Sequence, residues 1–125
     1  MNKQNTKHSY RQRLERVINH ISDNLSEDLD VNQLAEIANF SPYHFHRIYR
    51  EIISEPVNVT VRRLRLHHAA RELISTELPV LTIAKNVDYG SVEAFSRAFS
   101  KAYGFTPMKY RTCLLYTSPS PRDRG

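Results

Sequence analysis

Residues 34–53, LAEIANFSPYHFHRIYREII, return in altered form as residues 83–103, IAKNVDYGSVEAFSRAFSKAY. Ala35 and Ala38 recur as Ala84 and Val87, a shift of 49, while Phe45, Arg47 and Tyr49 recur as Phe95, Arg97 and Phe99, a shift of 50. The turn therefore gains one residue between the two registers. In the first copy Ser41-Pro42 places a good N-cap before a proline at the first helical position, where its missing N–H costs nothing. Phe45, Ile48, Tyr49 and Ile52 then mark one helical face. In the second copy Ser91 caps a helix carrying Phe95, Phe99 and Tyr103, and Gly104 suits the residue just past its end. Each copy reads as a short helix, a tight turn and a longer helix, which is the helix-turn-helix arrangement.

Outward from the repeat, Leu14, Val17, Ile18, Ile21 and Leu25 predict an earlier helix with one buried stripe. Ser9 and Gln12 have capping-box spacing at its start, and residues 1–8 are polar and expected to be disordered. Asp30 with Gln33 repeats the box before Val31, Leu34, Ala35 and Ala38. Between the copies, VNVTV at 57–61 alternates as a strand would. Pro56 suits a helix N1 position, however, and Leu64, Leu66, Ala69, Ala70 and Leu73 continue a helical pattern, so one helix is predicted over 57–75. At 1.5 Å per residue it is about 28 Å long. Val57, Val61 and Leu64 cluster on one side of it, and Leu66, Ala69, Ala70 and Leu73 lie roughly opposite. A helix on a single core has no reason to do that, whereas a helix joining two small cores does. Thr106-Pro107 opens a final turn through Met108 and Tyr110. The expected fold is all-α, with about seven helices over 9–112. Two helix-turn-helix subdomains, about 31–53 and 80–103, are joined by the long connector helix.

The composition narrows the function. The 125 residues are 40% hydrophobic and 25% charged, a globular balance. Lys and Arg exceed Asp and Glu by 18 to 13, giving a net charge of +5. Gly90, Gly104 and Gly125 are the only glycines, too few and too far apart for a phosphate-cradling loop. One cysteine, Cys113, can neither close an internal disulfide nor build a thiolate metal site. No apolar run approaches the ~18–20 residues that cross a bilayer, and a cytoplasmic protein is expected. His44 and His46 are two apart and His67-His68 adjacent, which is not the i, i+4 spacing of a helical metal site. No nucleophile elbow is present, so no enzyme, cofactor or metal is predicted. The end of the chain, 113–125, reads CLLYTSPSPRDRG and breaks from everything before it. Over eleven consecutive residues it is similar to the conceptual translation of a transposase-library sequencing adapter. We therefore expect a non-native, disordered tail after Thr112; without Arg122, Asp123 and Arg124 the charge is +4.

The faces opposite the apolar stripes carry the chemistry. Tyr43, His46, Arg47 and Arg50 fall at i, i+3, i+4 and i+7, and a shift of 50 gives Glu93, Ser96, Arg97 and Ser100. A polar stripe beginning near a capped N-terminus, on an apolar back, suits the major groove: its first turns reach base edges while the cap faces phosphate. Two such helices joined by the connector match successive major-groove segments, roughly 34 Å apart. Arg50 and Lys101 suit phosphate contact, as do Arg62 on the connector and the caps Ser41 and Ser91. The acidic Asp23, Glu27, Asp28, Asp30 and Glu36 read as a solvated face. A different class, a basic helical module for an acidic protein partner, would show salt-sensitive binding without sequence preference.

LAEIANFSPYHFHRIYRE, RRLRLHHAARELI and IAKNVDYGSVEAFSRAFSKAYGFTPMKYR closely resemble the DNA-binding domain of AraC/XylS-family transcription regulators. The match spans about Tyr10 to Arg111, and its final segment is the most specific. The resemblance implies a sequence-specific bacterial regulator, an activator in the first instance, that binds double-stranded promoter DNA and aids RNA polymerase. It implies base contacts at Tyr43, His46 and Arg47, and near Val92, Glu93, Ser96 and Arg97. A small-molecule effector is implied only if a downstream sensing domain follows. Two departures stand out. Glu55 is read as occupying a place where the family commonly has glycine. Glu93 puts an acid on a DNA-facing surface, where it either accepts from cytosine N4 or repels phosphate.

Overall fold

A computed structural model of the chain describes residues 3–117. They form seven helices with no strand among them: α1 Lys3–Asp23, α2 Val31–Ala38, α3 Pro42–Ile53, α4 Val57–Ser75, α5 Val80–Asn86, α6 Val92–Tyr103 and α7 Pro107–Thr117. The chain divides between Leu64 and Arg65 into two compact units.

The core of the first unit is made by Leu14, Val17 and Ile21 of α1, Leu34, Ala35 and Ala38 of α2, Phe45, Ile48 and Tyr49 of α3, and Val57 of α4. The second buries Leu66, Ala69, Ala70 and Leu73 of α4, Ile83 and Ala84 of α5, Val87, and Phe95 and Phe99 of α6. Helix α4 thus spends its first two turns on one core and the remainder on the other, which is why its apolar residues change sides. The alternating VNVTV is helical because Val57 and Val61, one turn apart, meet the core of the first unit, and packing outweighs the β preference of valine. Phe45 and Phe95 are completely buried, and replacing either with alanine costs about 3–5 kcal/mol by the usual large-to-small relation.

Three expectations need correction. The segment before Ser9 is not disordered in the structure: α1 begins at Lys3, so the Ser9–Gln12 box is not the helix start. Residues 3–8 contain no glycine or proline, and nothing stops the helix from propagating back from its packed turns. At the other end α7 runs through Thr117, so Cys113–Thr117, read as disordered tail, is helical; residues 118–125 lie outside the described residues. Thr106 starts α7 by accepting the Lys109 N–H on its hydroxyl at 3.2 Å. The third concerns Glu55. The left-handed residue that ends α3 is Ser54, with φ of 73°, and Glu55 follows it. Ser54 lies 50 residues before Gly104, which ends α6 with φ of 80°. The same left-handed C-cap is therefore made once by serine and once by glycine.

The turns inside the two copies also agree. Asn39 and Asp88, 49 apart, both have φ of 63°. Phe40 N–H donates to the Ala35 carbonyl and Tyr89 N–H to that of Ala84, both at 2.9 Å. These bonds satisfy carbonyls that the end of each short helix would otherwise leave open. Gly90, although it stands in the second turn, has no need of glycine's conformational freedom, and a Cβ there would meet open space.

Candidate nucleic-acid interface

Helix α3 is capped by the Ser41 hydroxyl, which accepts the His44 N–H, and α6 by the Ser91 hydroxyl, which accepts the Ala94 N–H. With each first turn capped and each apolar face buried, the remaining face is fixed in direction. On α3 it exposes Tyr43, His46, Arg47 and Arg50, and Tyr43 is 76% accessible. These four side chains and Pro56 line a shallow depression of about 230 Å³. Arg47 also lies 4.0 Å from Glu51 one turn on, both about two-thirds exposed, a pair that solvent and salt leave weak. On α6, Glu93, Arg97 and Lys101 are exposed while Val92, Ser96 and Ser100 are half-buried. The structure thus brings the site residues of the first copy to one depression and leaves Val92 and Ser96 more covered than Glu93 and Arg97.

The basic run on α4 is divided. Arg62 is exposed, Arg63 lies 2.6 Å from the Glu55 carboxylate, and Arg65 lies 3.4 Å from Asp88. Arg62 and Arg63 are both exposed, and of these Arg62 is the one outside the two ion pairs, which suits it to a phosphate.

Several residues behind the helices were not read as functional from sequence. The Tyr49 hydroxyl donates to Thr60 Oγ1 at 2.8 Å, and Thr60 in turn donates to Glu55, which also accepts from Arg63. This chain ties the buried side of α3 to the start of α4. Burial pushes the Tyr49 phenol above its ordinary value, whereas the hydrogen bond from Thr60, with help from Arg63, holds the Glu55 carboxyl below its own. Arg13 on α1 reaches the turn of the first copy: its Nε donates to the Ala38 carbonyl at 2.7 Å and its other arm to that of Asn39. Its guanidinium also lies 3.9 Å from the centre of the Phe40 ring. His44 packs edge-on against Phe40 and Tyr10 as part of this aromatic cluster. Arg13 has its partners 25 and 26 residues away, so no local pattern in the sequence announces its role. Among the described residues, no group of three or more His, Cys, Asp or Glu side chains is placed to hold a metal ion, and no helix is long and apolar enough to cross a membrane.

A serine-capped helix with an apolar back and an exposed polar front carrying an arginine, presented twice after a tight turn, defines a double helix-turn-helix DNA-binding protein. Residues 34–112 match the family model described as "Helix-turn-helix domain". The chain is 34% identical over 103 residues to the uncharacterized HTH-type transcriptional regulator YbfP of Bacillus subtilis, covering 82% of this chain and 35% of that one. It is 32% identical over 91 residues to the HTH-type transcriptional activator AarP of Providencia stuartii, covering 73% of this chain and 67% of that protein. The solved DNA-binding domain of the global transcriptional factor AdpA, in complex with a target DNA, superposes with a TM-score of 0.80 at 25% identity, over 86% of this chain and 96% of that one. The chain belongs to the AraC-type helix-turn-helix family of DNA-binding transcription regulators. It spans about a third of the length of its Bacillus relative.

Proposed function

We propose that the chain reads a specific promoter sequence with α3 and α6, one helix in each of two successive major-groove segments of one duplex, and that it activates transcription there. The observation that carries this reading is the gathering of Tyr43, His46, Arg47 and Arg50 on the exposed, N-capped front of α3, with Arg97 at the equivalent place on α6. Arg47 and Arg97 suit bidentate contact with guanine, His46 a second base edge, and Tyr43 a thymine methyl. Val92, Glu93 and Ser96 stand on the corresponding part of α6, with Glu93 suited to cytosine N4. Arg50, Arg62 and Lys101 take phosphates, and the caps at Ser41 and Ser91 present backbone N–H groups to them. The activator name of AarP and the DNA bound to AdpA support the same reading. Contact with RNA polymerase, and an effector acting through a further domain, belong to this proposal as its regulatory part.

The test selects duplexes from a random-sequence pool and measures affinity against salt. Binding to the selected duplex should exceed that to a scrambled one by ~10³ or more and fall steeply as salt rises. Equal affinity for the two duplexes, with the salt dependence intact, refutes sequence reading and favours a basic module for an acidic partner.

A further inference from the structure

The internal repeat extends further upstream than the helix-turn-helix copies. Leu14, Val17, Ile18 and Ile21 of α1 stand 52 residues before Leu66, Ala69, Ala70 and Leu73 of α4, and both sets pack into the core of their own unit. Each unit thus contains a three-helix repeat, α1–α2–α3 in the first and the part of α4 from Arg65 onward with α5 and α6 in the second. In this register Arg13 corresponds to Arg65. Both reach the turn of their own copy, and both reach its left-handed residue: Arg13 donates to the carbonyls of Ala38 and Asn39, and Arg65 lies 3.4 Å from the carboxylate of Asp88. Asn39 and Asp88 are themselves equivalent, both at φ of 63°. The Arg65 side chain is only 15% accessible, so its charge is directed inward to the turn rather than outward to solvent.

From this recurrence we infer that Arg13 and Arg65 are positioning residues that set the register of α3 and α6 for base reading, by fastening the turn before each helix to the first helix of its repeat. The inference rests on the base-reading role proposed above. The turn residue precedes the N-cap by two positions in the first copy and three in the second, so movement of the turn is transmitted directly to the first turn of the reading helix. Directional hydrogen bonds to base edges weaken steeply with misalignment, and a contact constellation needs support to within about 0.5 Å. Phosphate contacts are more tolerant. Loss of the clamp therefore lowers discrimination more than overall affinity.

The experiment compares wild type with Arg13→Lys and Arg65→Lys, which keep the charge and much of the stem but lose the planar fork. Asp88→Asn is a further variant that keeps a residue suited to left-handed backbone while removing the carboxylate. The readout is the ratio of affinities for a duplex selected by the wild-type chain and a scrambled duplex. A smaller folded fraction scales both affinities alike and cancels from this ratio. Arg13→Lys should lower the ratio by about tenfold or more, the scale of one well-made base contact, and Arg65→Lys and Asp88→Asn should lower it in the same direction. A ratio unchanged in the variants, with wild type discriminating normally, overturns the positioning role and leaves base reading standing. A wild-type chain that does not discriminate refutes base reading and the positioning role with it.

Discussion

Thr60 is the buried hinge of the network behind α3, and substituting it isolates what that network contributes. Thr60→Val conserves shape but removes the hydroxyl that accepts from Tyr49 and donates to Glu55. Glu55 keeps Arg63 as a donor. Tyr49, with no accessible surface, keeps an orphaned phenol. Leaving one buried partner unsatisfied costs about 1–3 kcal/mol, so the variant should lose about 2 kcal/mol. For a chain of this size that lowers the melting midpoint by about 6–10 °C. Removing both partners with the double variant Tyr49→Phe/Thr60→Val eliminates the orphan. In the second unit Phe99 and Tyr110, 50 residues on from Tyr49 and Thr60, meet instead through their rings, with centroids 5.2 Å apart. Urea unfolding followed by circular dichroism on wild type, both single variants and the double variant closes a thermodynamic cycle. The double should recover about 1 kcal/mol or more relative to the summed singles. Strict additivity would refute the reasoning, since it would mean that the phenol and the hydroxyl do not depend on each other.

Further outcomes follow from the caps, the carboxylate and the exposed face. Because the Glu55 carboxyl is held below its ordinary 4.5 in the folded chain, its contribution to stability is fully present above that value and disappears as pH falls through the lowered one. Glu55→Gln should therefore be less stable than wild type at pH 7, and urea titrations at decreasing pH should show the gap closing below 4.5. Ser54→Gly should raise stability by about 0.5–1 kcal/mol by relieving a left-handed serine, whereas Gly104→Ala should lower it by about 1 kcal/mol; thermal melts read both. A Cβ at Gly104 meets nothing within 4 Å, so backbone strain alone sets that cost. In binding titrations on a selected duplex, Arg47→Ala should relax preference at one base pair by ~1–3 kcal/mol, while Arg50→Gln should weaken all sequences alike and flatten the salt slope by about one unit.

Much of this protein was legible in its residues because the informative interactions are local. Caps at Asp30, Ser41 and Ser91, the apolar spacing of α2 to α6, and the duplicated Phe-x-Arg-x-aromatic pattern all act within one or two helical turns. So does the exposed stripe from Tyr43 to Arg50: once Phe45, Ile48 and Tyr49 are buried, helix geometry leaves Tyr43, His46, Arg47 and Arg50 facing outward. Even the crossover of α4 between two cores was visible as a change of face.

What sequence alone could not determine depends on partners brought together by folding. Arg13 clamps carbonyls 25 and 26 residues away, and no local pattern separates it from the exposed Arg16 on the same helix. Arg63 and Arg65 look like Arg62 in a basic run, yet two of the three are claimed by Glu55 and Asp88 through packing of remote segments. Serine carries no signal for positive φ, so although Pro56 marked the break after α3, the left-handed turn at Ser54 that makes it was not legible. Local periodicity chose the helices and their outward faces; tertiary packing chose which charges remain free on those faces, because an ion pair or a carbonyl clamp exists only when both ends have been delivered to the same place.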